Sequence, residues 1–315
     1  MRKLGVAVIG AGFWGRNHAR NLREIKETQL IAVCDKDEAK AKAVAELFGV
    51  EAYADSTQML KREDVEAVTV CTWSTTLAAE ATKVLEAGKH VLVEKPMANS
   101  VDEAKRIVDL ARRQNRYLMV GFLMRFIPGV QRIKEAADKG EIGTLVYATA
   151  RRVSEWPERL GDVGVVKDLA IHDIDVTRYL FGDDPIEVYA KAGSLRHKQF
   201  EDHAQILLTF KGGQTAYVEA NWLTPYKIRK LVVTGSDAIM TLDYITQEIT
   251  IETSGQTLAP RFEVKEPLKL ELQHFAKSIL NDKEPIITGT DGLKAVQIAE
   301  AALKSARIGT AIELV

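Results

Sequence analysis

The sequence is short of the features that mark several classes of protein. It has two cysteines and eight prolines in 315 residues, and 43 lysines and arginines against 44 aspartates and glutamates give a net charge of -1. So few cysteines argue against a disulfide framework, and so few prolines against long disordered linkers. The balanced charge leaves no basic surplus for nucleic acid or anionic lipid. The expected partner is therefore a small molecule, with no nucleic acid and no membrane.

Long apolar runs are missing as well. No window approaches the roughly 18 uncharged apolar residues of a membrane span. The apolar residues after Met1-Arg2-Lys3 suggest a short signal peptide, but three glycines and an arginine interrupt them, so they are interpreted as a first strand. Cys34 and Cys71 both lie in apolar runs that predict strands, which favours packed thiols in a reducing compartment. The sequence predicts a cytoplasmic protein.

What the sequence does contain is a change of pattern near residue 121. Before it, short β-branched apolar runs alternate with helical patterns, which is typical of a parallel sheet with crossover helices. After it, longer strands show period-two alternation, as in His203–Phe210, and predict a mostly antiparallel sheet. We therefore predict an α/β protein with one domain over residues 1–121 and a second over 122–315.

A dinucleotide-binding pattern follows the first predicted strand. Gly10-Ala11-Gly12-Phe13-Trp14-Gly15 matches G-x-G-x-x-G and opens a helix, where backbone N–H groups approach a pyrophosphate. Asp35 ends the next strand and can accept a hydrogen bond from the adenosine ribose, which favours NAD over NADP. The adjacent Lys36 weakens this preference. The alternative is a glycine-rich turn with an ordinary helix-start aspartate. The residues predicted to bind the cofactor are Gly10, Gly12, Phe13, Trp14, Gly15, Asp35 and Lys36.

More candidates follow the next two strands. Thr72 and Trp73 come after one strand, and Glu94 and Lys95 come after another, so all four are expected at the carboxyl edge where such sheets bind ligands. They are predicted to contact the cofactor. Lys95 can also present its ammonium group to a substrate oxygen, although a solvated surface lysine is the alternative.

A carboxylate and a histidine lie four residues apart in the second half of the chain. Asp168 can meet His172 on one face of a helix or turn, fix the tautomer of its imidazole and leave the other nitrogen as a base. The alternatives are a helix cap followed by a core histidine, or a metal site with Asp175. The metal site is disfavoured because no second group of ligands is nearby, so no metal is predicted.

These motifs together resemble the glucose-fructose oxidoreductase, inositol dehydrogenase and rhizopine-catabolism (Gfo/Idh/MocA) family over nearly the whole chain. The resemblance implies an N-terminal Rossmann domain with a doubly wound parallel sheet, and a C-terminal α/β domain with a large open, mostly antiparallel sheet. It also implies NAD(P)-dependent oxidation or reduction of a sugar or cyclitol hydroxyl. Carried over by position, Lys95, Asp168 and His172 match the catalytic triad of the family. The motifs are Gly10–Gly15 with Asp35, Ala87–Pro96, and Asp168-x-x-x-His172-x-x-Asp175.

The substrate is predicted from a finer resemblance. Residues 151–153, 159–164 and 221–225 are similar to those of UDP-N-acetylglucosamine 3-dehydrogenases, which implies oxidation of that sugar at its 3-hydroxyl to a 3-keto sugar. Arg151, Arg152 and Arg159 are then candidates for its pyrophosphate, because guanidinium groups suit phosphate oxygens. Where the family often has Thr-Pro-Asn-x-x-His, this chain has Thr72–Leu77, which leaves the substrate open. The alternatives are an inositol or free-aldose dehydrogenase, and a non-catalytic sensor gated by NAD.

The second face of the antiparallel sheet predicts an oligomer. Its polar and apolar residues form a face that is broad for bare solvent, so we expect a homodimer or homotetramer that packs sheet on sheet. The residues of this face are Tyr147, Thr149, Arg151, His203, Gln205, Thr215, Tyr217 and Glu219.

Overall fold

The computed structural model describes residues 2–158, 161–261 and 263–314 and divides the chain into two compact units. The N-terminal unit contains the chain up to Leu123 together with Glu266–Val296, and the C-terminal unit contains Met124–Lys265 and Gln297–Val315. This division differs from the single boundary at residue 121 that the sequence suggested. The chain returns to the N-terminal unit because the helix Pro267–Leu280 packs against the helix Phe13–Glu24.

The N-terminal unit is built on a parallel sheet that has six strands in the described residues, in the order β3-β2-β1-β4-β5-β6. This is the order of a Rossmann fold, so the prediction of a doubly wound parallel sheet is confirmed. The strands are β1 (Leu4–Ile9), β2 (Thr28–Cys34), β3 (Glu51–Tyr53), β4 (Ala67–Val70), β5 (His90–Val93) and β6 (Leu118–Val120). The helices of this unit that come before Leu123 are α1 (Phe13–Glu24), α2 (Glu38–Phe48), α3 (Ser56–Met59), α4 (Ser74–Glu86) and α5 (Val101–Arg113).

Burial on both faces explains the continuous apolar runs of this sheet. All six residues of β1 and all four of β4 are buried, as expected for parallel strands covered by helices. Both cysteines are free, and burial raises the pKa of the Cys34 thiol to about 12, which keeps it protonated and unreactive.

The C-terminal unit is built on a larger, mixed sheet. Its order in the described residues is β14-β13-β12-β11-β7-β10-β9-β8-β15, and β7 and β10 are the parallel neighbours among otherwise antiparallel pairs. The strands are β7 (Leu145–Val153), β8 (Pro185–Gly193), β9 (His203–Phe210), β10 (Thr215–Asn221), β11 (Ile228–Gly235), β12 (Ala238–Asp243), β13 (Ile249–Thr253), β14 (Thr257–Leu258) and β15 (Ile312–Glu313). The prediction of a mostly antiparallel second sheet is confirmed.

The remaining helices lie between and after these strands. A 3₁₀ helix at Leu123–Phe126 precedes α6 (Pro128–Asp138), and a π-helical turn at Val166–Ala170 leads into α7 (Ile171–Phe181). Two further helices, α8 (Pro267–Leu280) and α9 (Gly289–Ile308), lie between β14 and β15. Among the described residues, the structure contains no helix with the length and apolar character needed to cross a membrane.

Candidate functional site

The glycine loop after β1 has the geometry of a dinucleotide-binding turn. Gly10 has a φ of 101°, and a Cβ there would lie 2.6 Å from the carbonyl oxygen of Cys71. A Cβ on Gly15 would collide with the carbonyl oxygen of Gly10, so this glycine lets α1 pack closely against the strand. A Cβ on Gly12 would meet no atom within 4 Å among the described residues, which leaves its backbone open to a ligand. These are the three roles that glycines have in a Rossmann turn.

The first turn of α1 can receive an anion. The helix starts at Phe13 after Gly12, and in the described structure no side chain caps it. The first N–H groups of a helix lack partners within the helix, and they attract negative charge. The loop therefore fits the pyrophosphate of NAD. Phe13 is 72% exposed and Trp14 is exposed too, so both flank this opening.

Asp35 fastens the glycine loop to the end of β2. Its Oδ2 accepts the N–H of Ala11 at 2.7 Å, and its Oδ1 accepts the N–H of Asp37 at 2.9 Å. Each carboxylate oxygen can accept a second hydrogen bond. Asp35 is thus a structural residue of the loop as well as the predicted ribose acceptor, while Lys36 is exposed beside it.

Glu94 is held by a histidine that the sequence did not single out. Its Oε1 lies 3.0 Å from Nε2 of His18, and both side chains are buried. Its Oε2 accepts the backbone N–H of Lys95 at 3.3 Å, and Gly121 provides the space beside its carboxyl group. His18 therefore links α1, which the glycine loop opens, to the backbone that carries Lys95. Its position three residues after Gly15, on the buried face of α1, was the available signal.

The cofactor candidates share one edge of the parallel sheet. Gly10 follows β1, Asp35 follows β2, Thr72 follows β4 and Glu94 follows β5, all at carboxyl ends. The strand order reverses between β1 and β4, which is where open α/β sheets bind ligands. Trp73 precedes the first residue of α4 and is 40% exposed, so its ring is open to a ligand.

Asp168 and His172 lie in the C-terminal unit on either side of the junction between the π-helical turn and α7. The N–H of Asp168 donates to the carbonyl of Gly164 at 2.9 Å, and that of Val166 donates to Oε1 of Glu201 at 3.1 Å. A side chain on Gly164 would collide with the Glu201 carboxyl group, so the start of the turn is fixed by close packing. π-Helical turns occur frequently at functional sites. His172 is 8% exposed in the first turn of α7.

Two buried ion pairs hold the helix that carries His172. Asp173 accepts hydrogen bonds from Nε and Nη2 of Arg152 at 2.7 and 2.9 Å. Asp175 accepts one from Nε of Arg125 at 2.8 Å. A carboxylate engaged in this way is a poor metal ligand, and the described residues hold no group of three metal-ligating side chains. Asp175 is thus a structural anchor of α7.

Two of the three arginines predicted to bind a pyrophosphate lie on opposite faces of β7. Neighbouring residues of a strand point to opposite faces, so Arg152 is buried against α7 while Arg151 lies on the open face, 3.1 Å from Glu219. These two side chains are therefore not placed to hold one pyrophosphate together, and a role of either one in substrate binding stays a prediction. Arg159 lies outside the described residues.

Comparison with known proteins identifies the family. The NAD-binding Rossmann fold of the Gfo/Idh/MocA oxidoreductases matches residues 4–122, and the C-terminal domain of the same family matches residues 130–241. The chain belongs to the Gfo/Idh/MocA family. It is an NAD-dependent dehydrogenase of the sugar and polyol class, acting on a CH–OH group.

The relatives differ in substrate. The scyllo-inositol 2-dehydrogenase (NAD(+)) of Bacillus subtilis (strain 168) is 32% identical, over 98% of this chain and 95% of that protein. The UDP-N-acetylglucosamine 3-dehydrogenase of Acidithiobacillus ferrooxidans is 27% identical, over 95% and 96% of the two chains. A crystal structure of the latter superposes with a TM-score of 0.91 at 26% identity, covering 98% and 99%. The chain is thus at least as similar to inositol dehydrogenases as to the nucleotide-sugar enzymes, contrary to the finer resemblance.

Proposed function

We propose that the protein oxidises UDP-N-acetylglucosamine, or a close UDP-sugar, at its 3-hydroxyl to the 3-keto sugar. The observation that carries the proposal is the full-length match to one UDP-N-acetylglucosamine 3-dehydrogenase, in sequence and in fold. The resemblance that the sequence suggests for residues 159–164 and 221–225 supports it. A nucleotide diphosphate offers binding energy far from the reacting carbon, which can position the 3-hydroxyl.

The chemistry is assigned to three side chains. NAD, when bound, supplies the hydride acceptor. His172 takes the proton of the sugar hydroxyl, and Asp168 orients its imidazole and stabilises the cation that forms. The ammonium group of Lys95 stabilises the negative charge that develops on the substrate oxygen. The Arg152–Asp173 and Arg125–Asp175 pairs fix the helix on which His172 lies, and the Glu94–His18 pair fixes the backbone of Lys95.

An inositol 2-dehydrogenase is the second candidate. It is favoured by the 32% identity to the scyllo-inositol enzyme, which exceeds the identity to the UDP-sugar enzyme. The two candidates differ in charge, because inositols are neutral whereas a UDP-sugar carries a diphosphate.

A substrate panel separates the candidates. UDP-N-acetylglucosamine, free N-acetylglucosamine, myo-inositol and scyllo-inositol are each tested with NAD and with NADP, following the absorbance of reduced nicotinamide. We expect turnover of the UDP-sugar with NAD and much slower turnover of the free sugar. The His172→Ala variant serves as the control for background reduction. Turnover of an inositol without turnover of the UDP-sugar would refute the proposed substrate.

We also propose that the open face of the C-terminal sheet joins two subunits. Tyr147, Leu207 and Tyr217 are 41%, 41% and 37% exposed on neighbouring strands of this face. Aromatic and aliphatic side chains that lie together on a sheet surface favour association, because burying them removes apolar area from water.

A further inference from the structure

Two arginines lie directly opposite each other on the face of the C-terminal sheet that α7 covers. Arg152 of β7 pairs in register with Arg229 of β11, and like charges in such cross-strand positions destabilise a sheet. Lys227 comes two residues before Arg229, immediately ahead of the strand, and adds a third cation. We call Arg152, Arg229 and Lys227 the cation cluster.

Asp173 pairs with Arg152, but the carboxylates around the cation cluster leave some of its hydrogen-bond donors unmatched. Arg152 is 1% exposed and uses Nε and Nη2 for Asp173, but its buried Nη1 has no hydrogen-bond partner among the described residues. Nε of Arg229 is likewise buried without a partner in that part of the chain. Neither Arg229 nor Lys227 forms an ion pair within residues 2–158, 161–261 and 263–314. Arg229 is only partly buried and Lys227 is exposed, so an acceptor from outside the chain can reach the cation cluster through these two side chains.

The electrostatics of the cation cluster agree with this geometry. Burial, followed by the charge of Arg152, lowers the pKa of Arg229 to about 10. The pKa of Lys227 is lowered first by Arg229, then by burial and by Arg152. Asp173 and Asp168 act in the opposite direction on the pKa of Arg229, and Glu155 does so on that of Lys227, but burial and the repulsion among the cations prevail. An anion at this position would relieve the repulsion.

The cation cluster is close to the reacting groups of the same unit. Asp173, the partner of Arg152, is the residue after His172, and the charge of Asp168 acts on both Arg152 and Arg229. An anion bound there would belong to the molecule on which His172 acts.

We propose that Arg152, Arg229 and Lys227 form a subsite for an oxyanion of the substrate, a phosphate or a carboxylate. Guanidinium groups offer paired N–H donors that match both anions. The inference deepens the proposed function and rests on it, because a diphosphate is what distinguishes a UDP-sugar from an inositol.

The test measures binding as well as turnover. The NAD-saturated protein is titrated by calorimetry with inorganic pyrophosphate, UDP-N-acetylglucosamine, glucuronate and neutral N-acetylglucosamine. Arg229→Gln and Lys227→Gln are each expected to weaken binding of the anionic ligands by about tenfold, with the neutral sugar unchanged. Lys230→Gln is the matched control, because it removes the same charge from the exposed face of the same strand. Pyrophosphate and glucuronate report separately on phosphate and carboxylate.

The outcomes separate this inference from the proposed substrate. The subsite is refuted if no anionic ligand binds at millimolar concentration, if Lys230→Gln weakens binding as much as Arg229→Gln, or if the neutral sugar is affected equally. Anion binding that depends on Arg229, in an enzyme that oxidises glucuronate but not UDP-N-acetylglucosamine, would retain the subsite and reject the UDP-sugar. Oxidation of the UDP-sugar with an unchanged KM in both Arg229→Gln and Lys227→Gln would retain the UDP-sugar as substrate and reject the subsite. Lys227 is exposed, so its variant tests the subsite even if Arg229→Gln lowers the melting temperature.

Discussion

The His90 side chain should make the stability of the protein depend on pH. His90 begins β5, its Nδ1 accepts the N–H of Tyr117 at 3.0 Å, and the two rings stack with centroids 5.3 Å apart. Burial lowers the pKa of His90 from 6.5 to about 4, and the charge of Arg116 contributes in the same direction. The imidazole is therefore neutral in the folded protein near pH 7. A proton on Nδ1 would remove the acceptor that Tyr117 uses.

The magnitude follows from the two pKa values. Below about pH 6.5 the unfolded chain binds a proton at His90 that the folded chain does not, so acidification favours unfolding until the pH passes the folded value near 4. Between pH 7 and pH 5 this side chain should remove about 2 kcal/mol from the free energy of unfolding. Above pH 7 its contribution should be constant.

The assay compares the protein with His90→Gln, which can still accept a hydrogen bond but does not titrate. Urea unfolding followed by circular dichroism at pH 5, 7 and 8 gives the free energy of each form. The pKa of His274 is also lowered by burial, but His274 is present in both forms and cancels in the difference. Between pH 7 and pH 5, the free energy of unfolding of the unmodified protein should fall by about 2 kcal/mol more than that of the variant. From pH 7 to pH 8, the difference between the two free energies should stay constant. Equal losses at pH 5 would refute the assignment to His90.

The remaining predictions concern cofactor, catalysis and assembly. Gly12→Ala should preserve the melting temperature and weaken NAD binding, because its Cβ enters open space where the pyrophosphate is expected. Gly15→Ala should lower the melting temperature, because its Cβ collides with the backbone of Gly10. Equal melting temperatures of the two variants would contradict this prediction. Asp35→Ser should weaken NAD binding and relax discrimination against NADP, and tighter binding of NADP by the unmodified protein would overturn the role of Asp35. Lys95→Met and His172→Ala should each lower kcat by about 100-fold or more with nearly unchanged NAD affinity, and near-normal turnover in either would remove that residue from the mechanism. Sedimentation at micromolar concentration should show a dimer, and a 34.9 kDa monomer alone would refute packing through the sheet.

Much of the N-terminal unit could be predicted because its signals are local. The apolar run after Lys3 forms the first strand, as predicted, and the close contact that requires Gly15 is with Gly10, five residues away. The Ser100-x-x-Glu103 pattern of a capping box is equally local, and the Ser100 hydroxyl accepts the N–H of Glu103 at 3.2 Å at the start of α5. In the C-terminal unit, the strand His203–Phe210 has the predicted bounds, because its period-two alternation is also a local signal.

The sequence alone is enough to separate the two neighbouring arginines of β7. The period of two along Leu145–Val153 already places Arg151 and Arg152 on opposite faces of a strand. Which face is buried, and which carboxylate meets Arg152, depends on α7 packing across the sheet. That information is not in the local sequence, because Asp173 is 21 residues away.

The sequence by itself determined the family, the cofactor loop and the parallel or mostly antiparallel character of the two sheets, because glycine spacing and strand period act over a few residues. Only the tertiary structure decided how distant charges meet: Glu94 with His18, Arg152 with Asp173, and Arg229 opposite Arg152. It also decided that residues 266–296 return to the N-terminal unit. The physical reason is that the partner of a buried charge is chosen by packing, since the charge must find a counterion or hydrogen bond wherever the fold places it.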